Sequence, residues 1–156
     1  HEEYMELALE EARKAEEIDE VPVGCVIICD GEVISRGHNL KEQLNQAYAH
    51  AEMIAIQKAA EVKGNWCLND CDLYVTLEPC MMCTGIINLS RIRSVYYGTT
   101  DPKGGCLETV IDLKKINRLN HYPNIVGNIL QKECAEILTN YFRKKREITK
   151  REKTEK

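Results

Sequence analysis

The chain has 156 residues, is 44% apolar and 29% charged, and carries a formal net charge of −4, the proportions of an ordinary globular domain. No apolar run approaches the roughly 18–20 residues of a membrane span, and the acidic first twenty residues lack the make-up of a secretory signal. Eight cysteines in a chain with no mark of secretion point to a reducing cytoplasm, with most thiols serving as small buried apolar groups and two as metal ligands.

The chain starts at His1 rather than Met, so a few native residues are expected ahead of it. Charge is unevenly placed. Residues 1–20 hold nine acidic against two basic side chains, and residues 141–156 hold eight basic against three acidic. That basic end is either a solvated, frayed helix or a local nucleic-acid contact.

Met5, Ala8, Leu9, Ala12, Ala15 and Ile18 recur at steps of three and four, which predicts a helix over 3–18. Residues 21–29 are β-rich. The "DG" at 30–31 signals a hairpin into a second strand over 32–37. The polar stretch 39–48 reads as loop. "HAEMIAIQKAAEV" (50–62) is strongly helix-forming, and "CDLYVTL" (71–77) is a strand of β-branched and aromatic residues. Pro79 suits a helix's first turn, with an apolar helix over 80–89.

Residues 91–98 alternate like a strand, 99–106 are loop, and 107–119 are weakly helical. "NHYPNIVGN" (120–128) holds a short last strand. A final amphipathic helix over 131–146 leads into a basic tail, 147–156, expected to be frayed or disordered. Strands alternating with helices, opened by a hairpin, predict one α/β domain over 1–156. Its mixed sheet would have helices on both faces.

Within this frame four residues draw together. Cys80 and Cys83 are spaced i,i+3 and would project from one helix face. Cys25/Cys29 and Cys67/Cys71 have the longer CxxxC spacing; Cys25 and Cys29 share a parity on one strand, and Cys67/Cys71 straddles a turn. With no second CxxC, a third ligand must come from elsewhere, and His50, opening another helix, is the candidate. Helix starts in an open α/β sheet lie at the strands' carboxyl edge, and their partial positive charge favours thiolate.

Three protein ligands leave a zinc ion one open position, where bound water drops to a pKa of about 7–8. Glu52, two residues past His50, could take that water's proton and pass it to a substrate nitrogen. The set suits hydrolysis at an amidine-like carbon with loss of ammonia. A redox CxxC protein and a non-catalytic zinc module that only binds RNA use the same cysteines in other ways. HxE followed by PCxxC is the signature of the zinc deaminases of nucleobases.

The surrounding motifs carry a closer likeness. "VPVG" (21–24), "GHN" (37–39), "AHAE" (49–52), "LYVTLEPCMMC" (73–83), "SRI" (90–92), "YYG" (96–98), "DPKGG" (101–105) and "NH" (120–121) resemble the bacterial tRNA-specific adenosine deaminases, within the cytidine/deoxycytidylate deaminase superfamily. The resemblance covers nearly the whole chain. It implies a three-layer α/β/α fold with a mixed five-stranded sheet and one zinc ion per subunit. It also implies attack at C6 of a wobble adenosine to give inosine. By the same resemblance, His50, Cys80 and Cys83 would hold zinc and Glu52 would shuttle protons. Asn39 would hydrogen-bond the purine and Val21 would pack on it.

Asp101 and Lys103 would lie in the loop around the flipped nucleotide. His121 and Arg143 would approach the backbone of the tRNA anticodon stem-loop. A homodimer with an apolar interface around 80–98 is implied too. The zinc motif alone also fits a free purine deaminase of the guanine type. Tyr48 and the polar run 40–48 depart from the family pattern beside the pocket.

Overall fold

A computed structural model describes residues 1–155. Five strands form one mixed sheet in the order β2-β1-β3-β4-β5. β1 (Gly24–Cys29) and β2 (Glu32–His38) are the antiparallel hairpin, turned through Asp30 and Gly31, both at positive φ as a type I′ turn requires. β3 (Cys71–Leu77) pairs antiparallel with β1 and parallel with β4 (Ser94–Thr99), which in turn pairs parallel with β5 (Asn124–Val126).

Strand alternation sends side chains to two separate cores. Cys25, Ile27, Leu73, Val75, Val95 and Tyr97 face α3 (Ala51–Lys63) and α4 (Met81–Leu89). Val26, Ile28 and Tyr74 face α1 (Glu2–Glu17) and Cys134 of α5 (Gln131–Thr154). The molecule is the expected three-layer α/β/α arrangement. Among the described residues, no helix is long and apolar enough to cross a membrane.

Several element bounds differ from the sequence expectation for visible reasons. Residues 21–23 precede β1, because Val23 turns back to donate to the Val21 carbonyl. The 39–48 loop contains a one-turn helix, α2 (Lys41–Leu44), whose first amides bind the carboxylate of buried Glu20. β4 begins at Ser94, after a turn in which Arg91 adopts positive φ.

The helix expected over 107–119 is only a single 3-10 turn at Leu113–Lys115. The Glu78 carboxylate binds the amides of Leu107, Glu108 and Thr109 and holds that segment as a loop. Pro79 lies one residue before the N-cap of α4, not in its first turn. In the basic tail, α5 continues through 147–154 with those side chains in solvent.

Candidate active site

β3 and β4 end at the same edge of the sheet. Because β1 runs antiparallel to β3, its start lies there too, beside the end of β2. Val21, Asn39, the 78–80 turn and Asp101 therefore converge from four separate strand ends. They line a cavity of about 200 Å³ together with His50, Glu52, Leu77 and Cys80.

His50 and Cys80 are the N-cap residues of α3 and α4. Each caps through its backbone carbonyl, accepting from Ile54 and Thr84, so both side chains remain free. His50 Nδ1 lies 3.6 Å from Cys80 Sγ and 3.5 Å from Cys83 Sγ. Gly37 fixes the start of α3: a β-carbon there would run into the Ala51 carbonyl and the Ala55 amide, so only glycine lets the first turn rest on β2. The Ser35 hydroxyl adds a 2.7 Å bond to the Ala55 carbonyl.

The two cysteines do not titrate alike. A hydrogen bond from Cys83, with His50 beside it, holds the Cys80 thiol down at about 4. Cys83 is pushed strongly upward by its bond to Cys80 and by burial. The neighbouring His50 ring has its pKa raised, chiefly by the Cys80 bond. Glu52 is 4% exposed, and burial lifts its carboxyl to about 7, against the opposing pull of its own backbone amide and His50. A carboxyl near neutrality can both accept and return a proton.

His50, Cys80 and Cys83 bring their ligand atoms within 4.8 Å of one another. Tetrahedral zinc places sulfur and nitrogen ligands roughly 3.5 Å apart, so the donor set and its spacing fit that ion. Three protein donors would leave a tetrahedral ion one position for water, and His50 and Cys80 both line the cavity.

The other predicted residues divide. Asn39 and Val21 line the cavity; the Asn39 amide donates to the Val21 carbonyl at 3.3 Å and accepts from the Lys41 amide at 3.1 Å. Asp101 lines it too, and its Oδ1 accepts the amides of Lys103 and Gly104. Lys103 is exposed outside the cavity.

His121 is not part of this cluster. It donates from Nε2 to the Ile92 carbonyl at 2.6 Å, ahead of β4 and hence at the opposite end of the sheet. Arg143 is exposed on α5 and bonded to Asn140. Near it, Tyr141 and Lys145 hold Asp19, which lies two residues before the cavity-lining Val21.

Two buried carboxylates were missed in the sequence. Glu20 anchors α2, and Glu78 accepts five bonds: from the amides of Asp101, Leu107, Glu108 and Thr109, and from the Thr109 hydroxyl. A β-carbon on Gly105 would strike the Glu78 carboxyl, which accounts for the second glycine of "DPKGG". The only available signal was a glutamate set inside an otherwise apolar strand-to-helix turn.

A family model described as the cytidine and deoxycytidylate deaminase zinc-binding region matches residues 1–99. The chain is 46% identical over 147 residues to the tRNA-specific adenosine deaminase of Bacillus subtilis (strain 168), covering 94% of this chain and 91% of that one. This chain belongs to the tRNA-specific adenosine deaminase family. Its relative in Agrobacterium fabrum is 48% identical over 143 residues, covering 92% and 94% of the two chains.

Among solved structures, one from studies of A-to-I editing by tRNA:A34 deaminases at the wobble position superposes with a TM-score of 0.85 and 46% identity. It covers 88% of this chain and all of that one. Guanine deaminase from Bacillus subtilis follows less closely, at 0.61 and 38% identity over 64% of each chain. The family's cytidine deaminase-like fold is the three-layer sheet described above.

Proposed function

We propose that this chain hydrolyses the 6-amino group of adenosine at the wobble position of a tRNA anticodon, releasing ammonia and leaving inosine. It would do so as a single domain over 1–156, in the cytoplasm, with one zinc ion per subunit. The observation that carries the reaction is the His50, Cys80 and Cys83 cluster, two of whose members line one small cavity together with buried Glu52. The substrate rests on the family's likeness over nearly the full chain.

When bound, zinc supplies a water activated for attack on the amidine carbon. His50, Cys80 and Cys83 would hold the metal. Glu52 would carry the water's two protons in turn, the first to the purine ring nitrogen and the second to the departing amine, and so end as it began. Asn39 and Val21 orient the base, the Asn39 amide retaining unused hydrogen-bonding capacity toward the cavity. Asp101 and Lys103 border the bound nucleotide's neighbours. Arg143 and adjacent basic residues meet the anticodon-loop backbone; His121 would have to act away from the cavity of its own subunit. An anticodon loop offers its bases partly unstacked, which lowers the cost of extrusion.

We propose a homodimer built on the α4 face. Met81 and Leu89 are 68% and 65% exposed, flanking a groove with Ile111, Leu113 and Leu119. On the same face, buried Thr84 Oγ1 and Asn88 Oδ1 find no hydrogen-bond partner within the described residues.

The test is deamination of a tRNA with wobble adenosine beside free adenosine and free guanine, with Glu52→Gln as control. Inosine should form in the tRNA alone. Glu52→Gln should lose about 10²–10⁴ in rate while retaining zinc. Turnover of guanine only, or full activity in Glu52→Gln, would overturn the assignment.

A further inference from the structure

At the opposite end of the sheet from the cavity, a second set of metal-binding side chains comes together that deamination does not use. Cys29 ends β1 and Cys71 begins β3, and the antiparallel register places them directly opposite each other. Asp70 precedes Cys71 and sits between both thiols: Oδ2 is 3.5 Å from Cys29 Sγ, and Oδ1 is 3.5 Å from Cys71 Sγ. All three ligand atoms can be chosen within 4.8 Å of one another. Lys63, the last residue of α3, closes the group by donating to Asp70 Oδ2 at 2.5 Å and to Cys29 Sγ at 3.5 Å. The length of β3 separates this set from Cys80 by about 20 Å at the usual strand rise.

We infer that Cys29, Cys71 and Asp70 form a second metal site, for a thiophilic divalent cation of the zinc or cadmium type. The spacing is one observation. Sulfur and oxygen ligands of a tetrahedral ion lie roughly 3.5 Å apart. Each sulfur lies that far from one Asp70 oxygen, Cys29 from Oδ2 and Cys71 from Oδ1, and one ligand atom from each residue can be chosen within 4.8 Å of the others, as in the His50, Cys80 and Cys83 set. The donor chemistry is another: two thiols and a carboxylate suit zinc-like ions, whereas magnesium and calcium prefer oxygen alone.

Charge is the third. With both thiols protonated, the Lys63 ammonium and the Asp70 carboxylate cancel. With a dication bound, two thiolates, one carboxylate and one ammonium cancel it as well. Binding therefore exchanges one dication for two thiol protons, which pass to solvent, and leaves no net charge in a partly buried place. Access is from the side of Asp70 and Lys63, whose side chains are partly exposed, while Cys71 is fully buried. The bound ion would clasp β1, β3 and, through Lys63, the end of α3.

The inference does not depend on the deaminase assignment, and one titration separates the two. Zinc-loaded protein, reduced with a non-thiol phosphine, is titrated with Cd²⁺ while zinc content, thiolate-to-cadmium absorbance and proton release are followed. One further equivalent should bind, with the first zinc retained and about two protons released per added ion. Cys29→Ser and Cys71→Ser should each abolish that equivalent and keep the first zinc and the deaminase activity. Cys67→Ser, in the neighbouring turn, should keep both metals. Cys83→Ser should lose the first and keep the second.

Asp70→Asn tests the site without touching the core and should weaken Cd²⁺ binding at least tenfold, whatever the folding of the cysteine variants. Absence of a second equivalent, binding without proton release, or an equivalent that survives in the Cys29→Ser, Cys71→Ser double variant would overturn the inference.

Discussion

Glu78→Gln is the substitution that most directly tests how the cavity wall is held. The native carboxylate, 2% exposed, accepts five hydrogen bonds at 2.6–3.3 Å, four of them from backbone amides between Asp101 and Thr109. In the variant one oxygen becomes an NH₂ group, which cannot accept. The least costly placement keeps the amide oxygen toward Leu107, Glu108 and Thr109 and turns the NH₂ to the Asp101 amide and the Thr109 hydroxyl. The hydroxyl can rotate to accept, so one backbone N–H is orphaned at about 1–3 kcal/mol, and the remaining bonds lose their charge assistance.

A total loss of about 2–4 kcal/mol is expected, read as a lower urea midpoint at unchanged slope. Because Asp101 lines the cavity, loosening this loop should raise KM for tRNA more than it lowers kcat. Zinc content should hold at the wild-type value, since no ligand is touched. Glu78→Ala should do worse on both counts, and Glu78→Gln better than Glu78→Ala. A stability change under about 0.5 kcal/mol, with KM unmoved, would refute the claim that this carboxylate positions the loop.

Three other outcomes are expected. Gly37→Ala should push the first turn of α3 off β2, lowering stability by about 1–3 kcal/mol and weakening zinc retention against a chelator, because His50 moves with that turn. Replacing Arg143, Lys144 and Arg146, all exposed on α5, by Glu should raise KM for tRNA and flatten its dependence on salt; an unchanged salt slope would place the RNA surface elsewhere.

Glu11 is buried, yet hydrogen bonds from Lys14 and His38 outweigh that burial and hold its carboxyl below the usual value of 4.5. Its folded pKa is depressed, so its contribution is present above pH 4.5 and lost as pH falls through the lowered value. Urea midpoints measured from neutral pH downward should therefore fall more steeply through the acid range in the wild type than in Glu11→Gln.

Much of this protein can be read along the chain. The 3.6-residue period locates α1, and residue composition locates α3 and β3, because both act within a single segment and need no partner to be known. His50 and Cys80 are recognisable for a similar reason: each immediately precedes a strong helix-forming run, and a residue at that boundary faces the carboxyl edge of the sheet. The proposed metal ligands and Glu52 follow from residue type and spacing within two short strings.

Tertiary structure decides what depends on strand order and register. Val21 joins the cavity only because β1 runs antiparallel to β3 and starts where β3 ends. The 107–119 segment has weak helical propensity, and three of its amides are taken by a carboxylate about thirty residues earlier in the chain. Local propensity of a few tenths of a kcal/mol per residue cannot compete with that. His121 lies far from the cavity because its loop leads into β5, whose parallel pairing with β4 sets that loop at the sheet's other end. Spacing along the chain groups the cysteines as Cys25/Cys29 and Cys67/Cys71. Cross-strand register instead pairs Cys29 with Cys71 and sets Asp70 between them. Pairings across forty residues are fixed by which strands lie side by side, a property that no local period encodes.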